Sequence, residues 1–524
     1  MKKTFILCTL TALLLAVAAC GGSDDDDYSF SPFGSTSSSS SSSSSSASAS
    51  DAEMSYVTSG TDIASIDTSL DDDKVTVTWT NSSVTVNIAG NLADLVSAYA
   101  NGCYVALIAS DSVSSKITYT LSGTCSDGGF YMDGSYKARY ILNDLHLTAT
   151  DDNAAIYIQN GKLLQMRLAD GTSNSLTDAT GSIHKGCLML NGHSEWDGEG
   201  SLTIQGNCNH AVWTDEYMLV EEGTITVTAA ATDGFNVNQY YQQTGGTVTI
   251  TAYDEGIAVA ALDEDDKDYD GQFIFNDGTL TITATSGKGI KSENDLTING
   301  GTINVTAKGS EGIESKAAIA INDGAVYAYA YDDAINAAGG ILTIEGGQIY
   351  AQSSTNDGID GNRNIYLNGG DIIAIGGSTS VECAIDAAEG YSLYVNGGNI
   401  FAVGASSEAT SSSSSQASIE VNASVSGKAV SLGSSSTPYL YMKVPTTSCK
   451  YVLMSSPSLV KGSTYYLKSG ASYSGTTWNG LGTDASLITA GSSSLGSATA
   501  AYAVGSGTST GGGGTTPGGG GGRW

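Results

Sequence analysis

The sequence predicts an all-β protein: a right-handed parallel β-helix with three short strands per turn, about 22–24 residues per turn, and β caps at both ends. Three observations predict it. Charged residues are only 14% of the chain, proline is scarce at 5 and glycine reaches 66, a composition for strands and tight turns rather than helices. From about residue 183 a three-part unit recurs, and internal repetition is the mark of a solenoid. Within each part apolar and polar residues alternate, as half-buried strands require.

The first part of the unit is a short strand before glycine: LTIQG from 202, LTING from 296, LTIEG from 342, IYLNG from 365 and LYVNG from 393. The second follows at once, as in GTITVTA from 223, DGTLTITA from 277 and GGTINVTA from 300. The third places an apolar mark behind a polar residue and Gly or Ala, giving Phe235, Ile257, Ile290, Ile313, Ile335, Ile359 and Ile385. Most marks lie 22 to 26 residues apart; the exception is Ile257 to Ile290, where Asp263 to Gly271 are inserted. Stacking puts one unit on the next, with glycines at the corners. About nine turns at roughly 4.8 Å predict a rod of roughly 40–45 Å. The right hand follows from the rule for parallel crossovers.

The rest of the chain divides by composition. Residues 1–19 read as a lipoprotein signal peptide, with Lys2 and Lys3 before an apolar run too short for a membrane span. Val17-Ala18-Ala19-Cys20 resembles a lipobox, with Cys20 as the lipidated residue. Residues 20–50 form an acidic and Ser-rich tether whose SDDDD run at 23–27 resembles surface-export signals. These features predict a bacterial envelope protein, lipid-anchored in the outer membrane and displayed at the surface. Residues 51–182 read as an N-terminal β segment with the first turns, including KVTVTW and SVTVNI strands and a helical patch at Leu92 to Tyr99. Residues 183–404 carry the repeats, 405–504 a C-terminal β cap, and 505–524 a Gly-rich tail predicted to be disordered. Six cysteines remain for the mature fold (103, 125, 187, 208, 383 and 449), of which Cys103 and Cys125 are the most local candidate pair.

The net charge of −33 excludes a nucleic-acid partner, which demands a basic face. An acidic polymer could bind only through bridging cations. The repeat supplies a place for them. Two residues before each mark stand Asp233, Glu255, Lys288, Glu311, Asp333, Asp357 and Cys383; after it stand Asn236, Ala258, Lys291, Glu314, Asn336, Asp360 and Asp386. Asp254 and Asp332 precede the first column. Carboxylates about 4.8 Å apart repel one another, and calcium takes hard oxygen ligands in such a setting. Candidate calcium ligands are therefore Asp254, Glu255, Glu311, Asp332, Asp333, Asn336, Asp357, Asp360 and Asp386. A solvated acidic edge that keeps rods apart is the alternative. Lys288 should lie one turn from Glu311 and Lys291 one turn from Glu314, as exposed ion pairs or, alternatively, as a lyase base beside calcium. Lys288, Lys291, Tyr240 and Tyr241 are candidate ligand-binding residues, although aromatics here, with Trp196, Trp213 and Tyr217, equally serve to cap the core. The four histidines show no relay spacing, and the 263–271 insertion lacks the spacing of a helix-loop-helix calcium site.

The run LMLNGHSEWDGEGSLTIQGNCNHAV at 188–212, the EGTITVTAAATDGF that follows, and the GGTI and DGI turns resemble the bacterial carbohydrate-binding β-helix proteins. Flanking matches at 154–178 and 454–470 extend the resemblance over about 75–480. The resemblance implies a polysaccharide-lyase-like parallel β-helix that binds plant cell-wall polysaccharide, with calcium on the helix. Its acidic-acidic-Gly-Ile motif falls on Asp254-Glu255, Asp332-Asp333, and Asp357 with Asp360. Lys288 and Cys383 depart from that motif, and Ala334 replaces one of its glycines. The expectation is a surface lipoprotein that binds polysaccharide through calcium without catalysis; a calcium-dependent lyase using Lys288, Lys291 or Arg363, and a structural adhesin, are the alternatives.

Overall fold

The computed structural model describes residues 60–150, 152–261, 270–377 and 382–505. The predicted signal peptide, Cys20, the predicted tether, residues 263–269 of the insertion and the Gly-rich tail lie outside them. The described chain is all β, with two single-turn 3-10 helices, Gly90–Leu92 and Ala485–Leu487. No helix among the described residues is long and apolar enough to cross a membrane.

The chain forms a parallel β-solenoid of about 14 turns; one of its sheets has 14 strands, joined by two antiparallel pairings at its start and by parallel pairings from there on. Strands Ile290–Ser292, Leu296–Ile298 and Thr302–Ala307 make up one representative turn. Each pairs in parallel with its counterpart one turn on: Ile313–Ser315, Ile319–Ile321 and Ala325–Ala330. Inward residues such as Ile290, Leu296, Ile298, Ile303 and Val305 are fully buried. They join a single apolar core that runs from Val75 to Leu453. One corner requires glycine: Gly278 and Gly301 hold φ of +97° and +67°, and a Cβ on Gly301 would sit 2.8 Å from the Gly278 carbonyl oxygen.

The solenoid is longer than the repeat predicts. Upstream strands Cys103–Ala109, Gly128–Asp133 and Ile156–Gln159 already stack in parallel beneath Gly186–Asn191. The parallel run in this sheet therefore spans twelve strands, Cys103–Ala109 through Ile385–Ala387, or about 50–55 Å at 4.8 Å per turn. These early turns lack the polar-Gly-apolar signature, so the sequence repeat does not register them. The helical patch predicted at Leu92 to Tyr99 is also corrected. Val96–Asn101 is a strand, antiparallel to Cys103–Ala109, because Val96, Ala98 and Ala100 alternate inward with period two.

The C-terminal segment does more than close the end of the rod. Tyr451–Ser455 pairs antiparallel with the last solenoid strand, Asn399–Gly404. A five-stranded antiparallel sheet adds Ala429–Gly433, Pro438–Lys443, Thr464–Ser469, Leu481–Gly482 and Ser493–Thr499. Its apolar residues form a second core with Tyr350, Ile373 and Phe401, which point outward from the solenoid.

A candidate cation-binding edge

The strand register sets up the edge as the spacing predicts. Phe235, Ile257, Ile290, Ile313, Ile335, Ile359 and Ile385 stack in one buried column. The residues after them stack likewise, placing Glu314, Asn336, Asp360 and Asp386 on successive turns. The column two residues earlier is tied by its own backbone. The amides of Glu255, Asp357 and Cys383 donate to the carboxylates of Asp233, Asp333 and Asp357 one turn before, at 3.2, 2.9 and 2.6 Å. Aspartate is thus short enough to satisfy the next turn with one oxygen and still present the other.

The edge is not the solvated stripe of the alternative reading. Asp233, Asp333, Asp357, Glu314 and Asn336 are all buried, Glu314 to 2% exposure. Stacked side chains cover one another, a consequence of the short rise between turns. Burial without counter-charge disfavours the ionised form. Asp357 is pushed up to about 10 by burial and by Asp333, Asp386 and Asp360, and Asp333 to about 9 by burial and Asp360. Asp360 reaches about 7 and Glu255 about 8 for the same reasons, burial first.

Two carboxylate triads emerge among the described residues. Asp357, Asp360 and Asp386 bring candidate ligand oxygens within 4.8 Å of one another, and so do Asp233, Asp254 and Glu255. Within and beside the first triad, Asp386 Oδ1 and Asn336 Oδ1 are buried without a hydrogen-bond partner. Such orphaned oxygens are costly unless something electropositive meets them. Oxygen donors alone, several anionic and partly dehydrated, fit a hard divalent cation such as calcium. Asp357, Asp360 and Asp386, with Asn336 one turn before, would hold one ion; Asp233, Asp254 and Glu255 would hold another.

Other predicted ligands are otherwise engaged. Glu311 is taken by Lys288, whose Nζ lies 2.8 Å from it and 2.7 Å from Glu314. This pair is mostly buried, not exposed as expected, because both carboxylates belong to the covered edge. Lys291 stands in register with Glu314 but forms its ion pair with Glu293 at 2.8 Å. Asp332 accepts a 2.8 Å hydrogen bond from Asn356 and joins neither triad. Arg363 donates to the Gly339 carbonyl at 2.8 Å and to Tyr391 at 3.2 Å.

The aromatic assignment separates by strand parity. Tyr241 is fully buried and stacks on Phe273 inside the core, which corrects its reading as a ligand-binding residue. Tyr240, one residue away, points outward in a ladder with Tyr217 and His193. Trp196 is interior and Trp213 lies under the Lys185 ammonium; both sit along the rod, not at a cap. Two participants are missing from the predicted ligand set. Asp233 has no acid in the neighbouring column, and His210, whose Nδ1 lies 3.2 Å from Asp233, comes from a turn without the repeat mark. Burial raises the Asp233 carboxyl, but His210 and Asn236 outweigh it and hold the group below its ordinary value. All six described cysteines are free thiols, with Cys103 pushed up to about 12 by burial and by Cys125 beside it.

A family model described as "Carbohydrate-binding domain-containing protein" matches residues 110–358 and 277–441. A protein of that same description from Acetivibrio thermocellus is 31% identical over 121 residues, 21% of this chain and 42% of the relative. The matched stretch thus spans less than half of that relative's length. Among solved structures, a polysaccharide lyase-like protein from C. thermocellum, a gadolinium derivative, aligns with a TM-score of 0.38 and 24% identity, covering 52% of this chain and 96% of that one.

Proposed function

The chain belongs to the carbohydrate-binding domain family, and from that premise we propose that it binds an acidic plant cell-wall polysaccharide, such as polygalacturonate, through calcium held on the solenoid edge. One observation carries the reading: the Asp357, Asp360 and Asp386 triad, three carboxylates of a buried edge with oxygens within 4.8 Å. A chain of net charge −33 needs bridging cations to grip a polyanion. Calcium shared between protein and polymer carboxylates supplies them. The lipid anchor at Cys20, with display of the solenoid at the outer-membrane surface, completes the proposal. It rests on the N-terminal sequence alone.

The family is named for binding, and the basic residues argue against the lyase alternative. A catalytic base must shed its proton near neutral pH. Burial would help Lys288 to do so, but its two glutamates outweigh burial and raise it above the ordinary lysine value. Lys291 is raised in the same way by Glu293 and its other acidic neighbours. Affinity electrophoresis in polygalacturonate gels tests the proposal. Retardation with calcium that vanishes in chelator is the expected result. Retardation indifferent to chelator rejects the bridge, and steady release of unsaturated product, seen by ultraviolet absorbance, rejects the binder.

A further inference from the structure

Only a few large apolar side chains stand exposed among the described residues, and two of them share one column. Tyr253 is 59% exposed and Tyr331 51%. Each is the residue immediately after a solenoid strand, Thr247–Ala252 and Ala325–Ala330, and each immediately precedes an acidic residue of the edge, Asp254 and Asp332. Backbone hydrogen bonds continue the stacking through this corner. The amides of Thr285, Lys308 and Tyr331 donate to Ala252, Ala284 and Ala307, one turn before, so Tyr253, Thr285, Lys308 and Tyr331 occupy successive turns. The two rings are therefore three turns apart, about 14 Å along the rod. Between them lie a hydroxyl and an ammonium, and both residues are exposed. Lys308 has no ion-pair partner among the described residues, although the chain is strongly acidic.

We propose that Tyr253, Lys308 and Tyr331 form a strip that seats one strand of a uronate-containing polysaccharide along the rod axis, beside the acidic edge. The inference rests on the carbohydrate-binding reading above and adds the face, direction and contact residues. An exposed phenol ring is a rigid, amphipathic platform for the apolar face of a sugar, and only two torsions are ordered on binding. The unpaired ammonium between the rings complements a uronate carboxylate and disfavours no other part of the chain. A strand lying here runs directly beside Asp254, Glu255 and Asp332, within reach of cations on the same edge.

Affinity electrophoresis of the full chain in polygalacturonate and in hydroxyethylcellulose, with calcium, tests the strip. The double variant Tyr253→Ala, Tyr331→Ala should lose at least about fivefold affinity for polygalacturonate, while Tyr331→Phe keeps the ring and the binding. Lys308→Ala should weaken binding to polygalacturonate, most at low salt, and leave any hydroxyethylcellulose binding unchanged. Unchanged circular dichroism and thermal midpoint keep a folding defect out of the comparison. A double variant within about twofold of the wild type overturns the strip and leaves carbohydrate binding standing. An unaffected Lys308→Ala overturns the uronate assignment. A wild-type chain retarded in neither gel overturns the carbohydrate proposal itself.

Discussion

The Lys288 ammonium lies 2.7 Å from the carboxylate of Glu314, one turn further along the edge, and Glu314 is 2% exposed. Glu311, also one turn on, holds the same ammonium at 2.8 Å. On either side along the rod stand the two carboxylate triads. Lys288 is thus a tethered cation in an otherwise acidic row, placed where the acidic motif is interrupted.

Replacing Lys288 by Met keeps the stem and removes the charge. In chelator the thermal midpoint should fall. Breaking a fully buried pair costs about 3–5 kcal/mol, and the residual exposure of Lys288 together with the second glutamate partner, Lys316, reduces this to the order of 1–3 kcal/mol. Calcium should restore the midpoint and titrate with one more ion per chain than the wild type. Equal stoichiometry in calorimetry would show that the ammonium stands in no cation position.

The raised acids fix the sign of a pH dependence. Asp357 at about 10, Asp333 at about 9, Glu255 at about 8 and Asp360 at about 7 all lie above ordinary carboxyl values near 4. The folded chain then binds more protons than the unfolded one between those limits, so stability is fully present below about pH 4 and is lost as pH rises through the folded values. In chelator the thermal midpoint should drop steadily from about pH 5 to about pH 9. Calcium competes with those protons, so the slope should flatten in its presence and binding at neutral pH should release protons. A midpoint in chelator that rises across this window contradicts the burial argument.

Asp360→Asn separates the two triads. The amide removes one charge from a crowded, buried set, so in chelator the variant should be more stable than the wild type by on the order of 1 kcal/mol. Its stabilisation by calcium should shrink, and calorimetry should count one ion fewer, with binding at Asp233, Asp254 and Glu255 retained. Loss of all calcium binding would mean that the edge acts as one coupled site.

How far the sequence leads is clear from these residues. Register was legible because every third-part mark, from Phe235 to Ile385, buries one apolar side chain per turn at nearly constant spacing. Burial of the acids was not legible. Period two assigns Glu314 to the outward face, but only the stacking of neighbouring turns shows that this face is covered. Parity also decides Tyr240 against Tyr241, and a short strand beginning beside a turn leaves parity open to a one-residue error. The first turns were placed upstream of residue 183, but their number and register stayed open because Ile156–Gln159 stacks on Leu188–Asn191 without the polar-Gly-apolar signature.

Ala334 tests how the core tolerates a departure from the repeat. Two of its counterparts are glycines with no room for a Cβ: one on Gly256 would lie 2.2 Å from Ile282 Cγ2, and one on Gly289 would lie 2.1 Å from Val305 Cγ1. By register, the residue corresponding to Ile282 and Val305 on the turn after Ala334 is Ala351, which has no γ carbons. The backbone also opens here. The amides of Ala334 and Ile335 reach the next turn at 3.2 Å, against 2.8 and 3.0 Å for Gly312 and Ile313. The extra methyl of Ala334 is thus accommodated by a smaller neighbour and slightly longer hydrogen bonds. Ala351→Val in the natural chain should then destabilise by about 1–3 kcal/mol through overpacking. The same substitution with Ala334→Gly should cost much less, giving a coupling above about 0.5 kcal/mol in a double-mutant cycle read from thermal midpoints. Equal costs in the two backgrounds would show that Ala334 and Ala351 do not share this space.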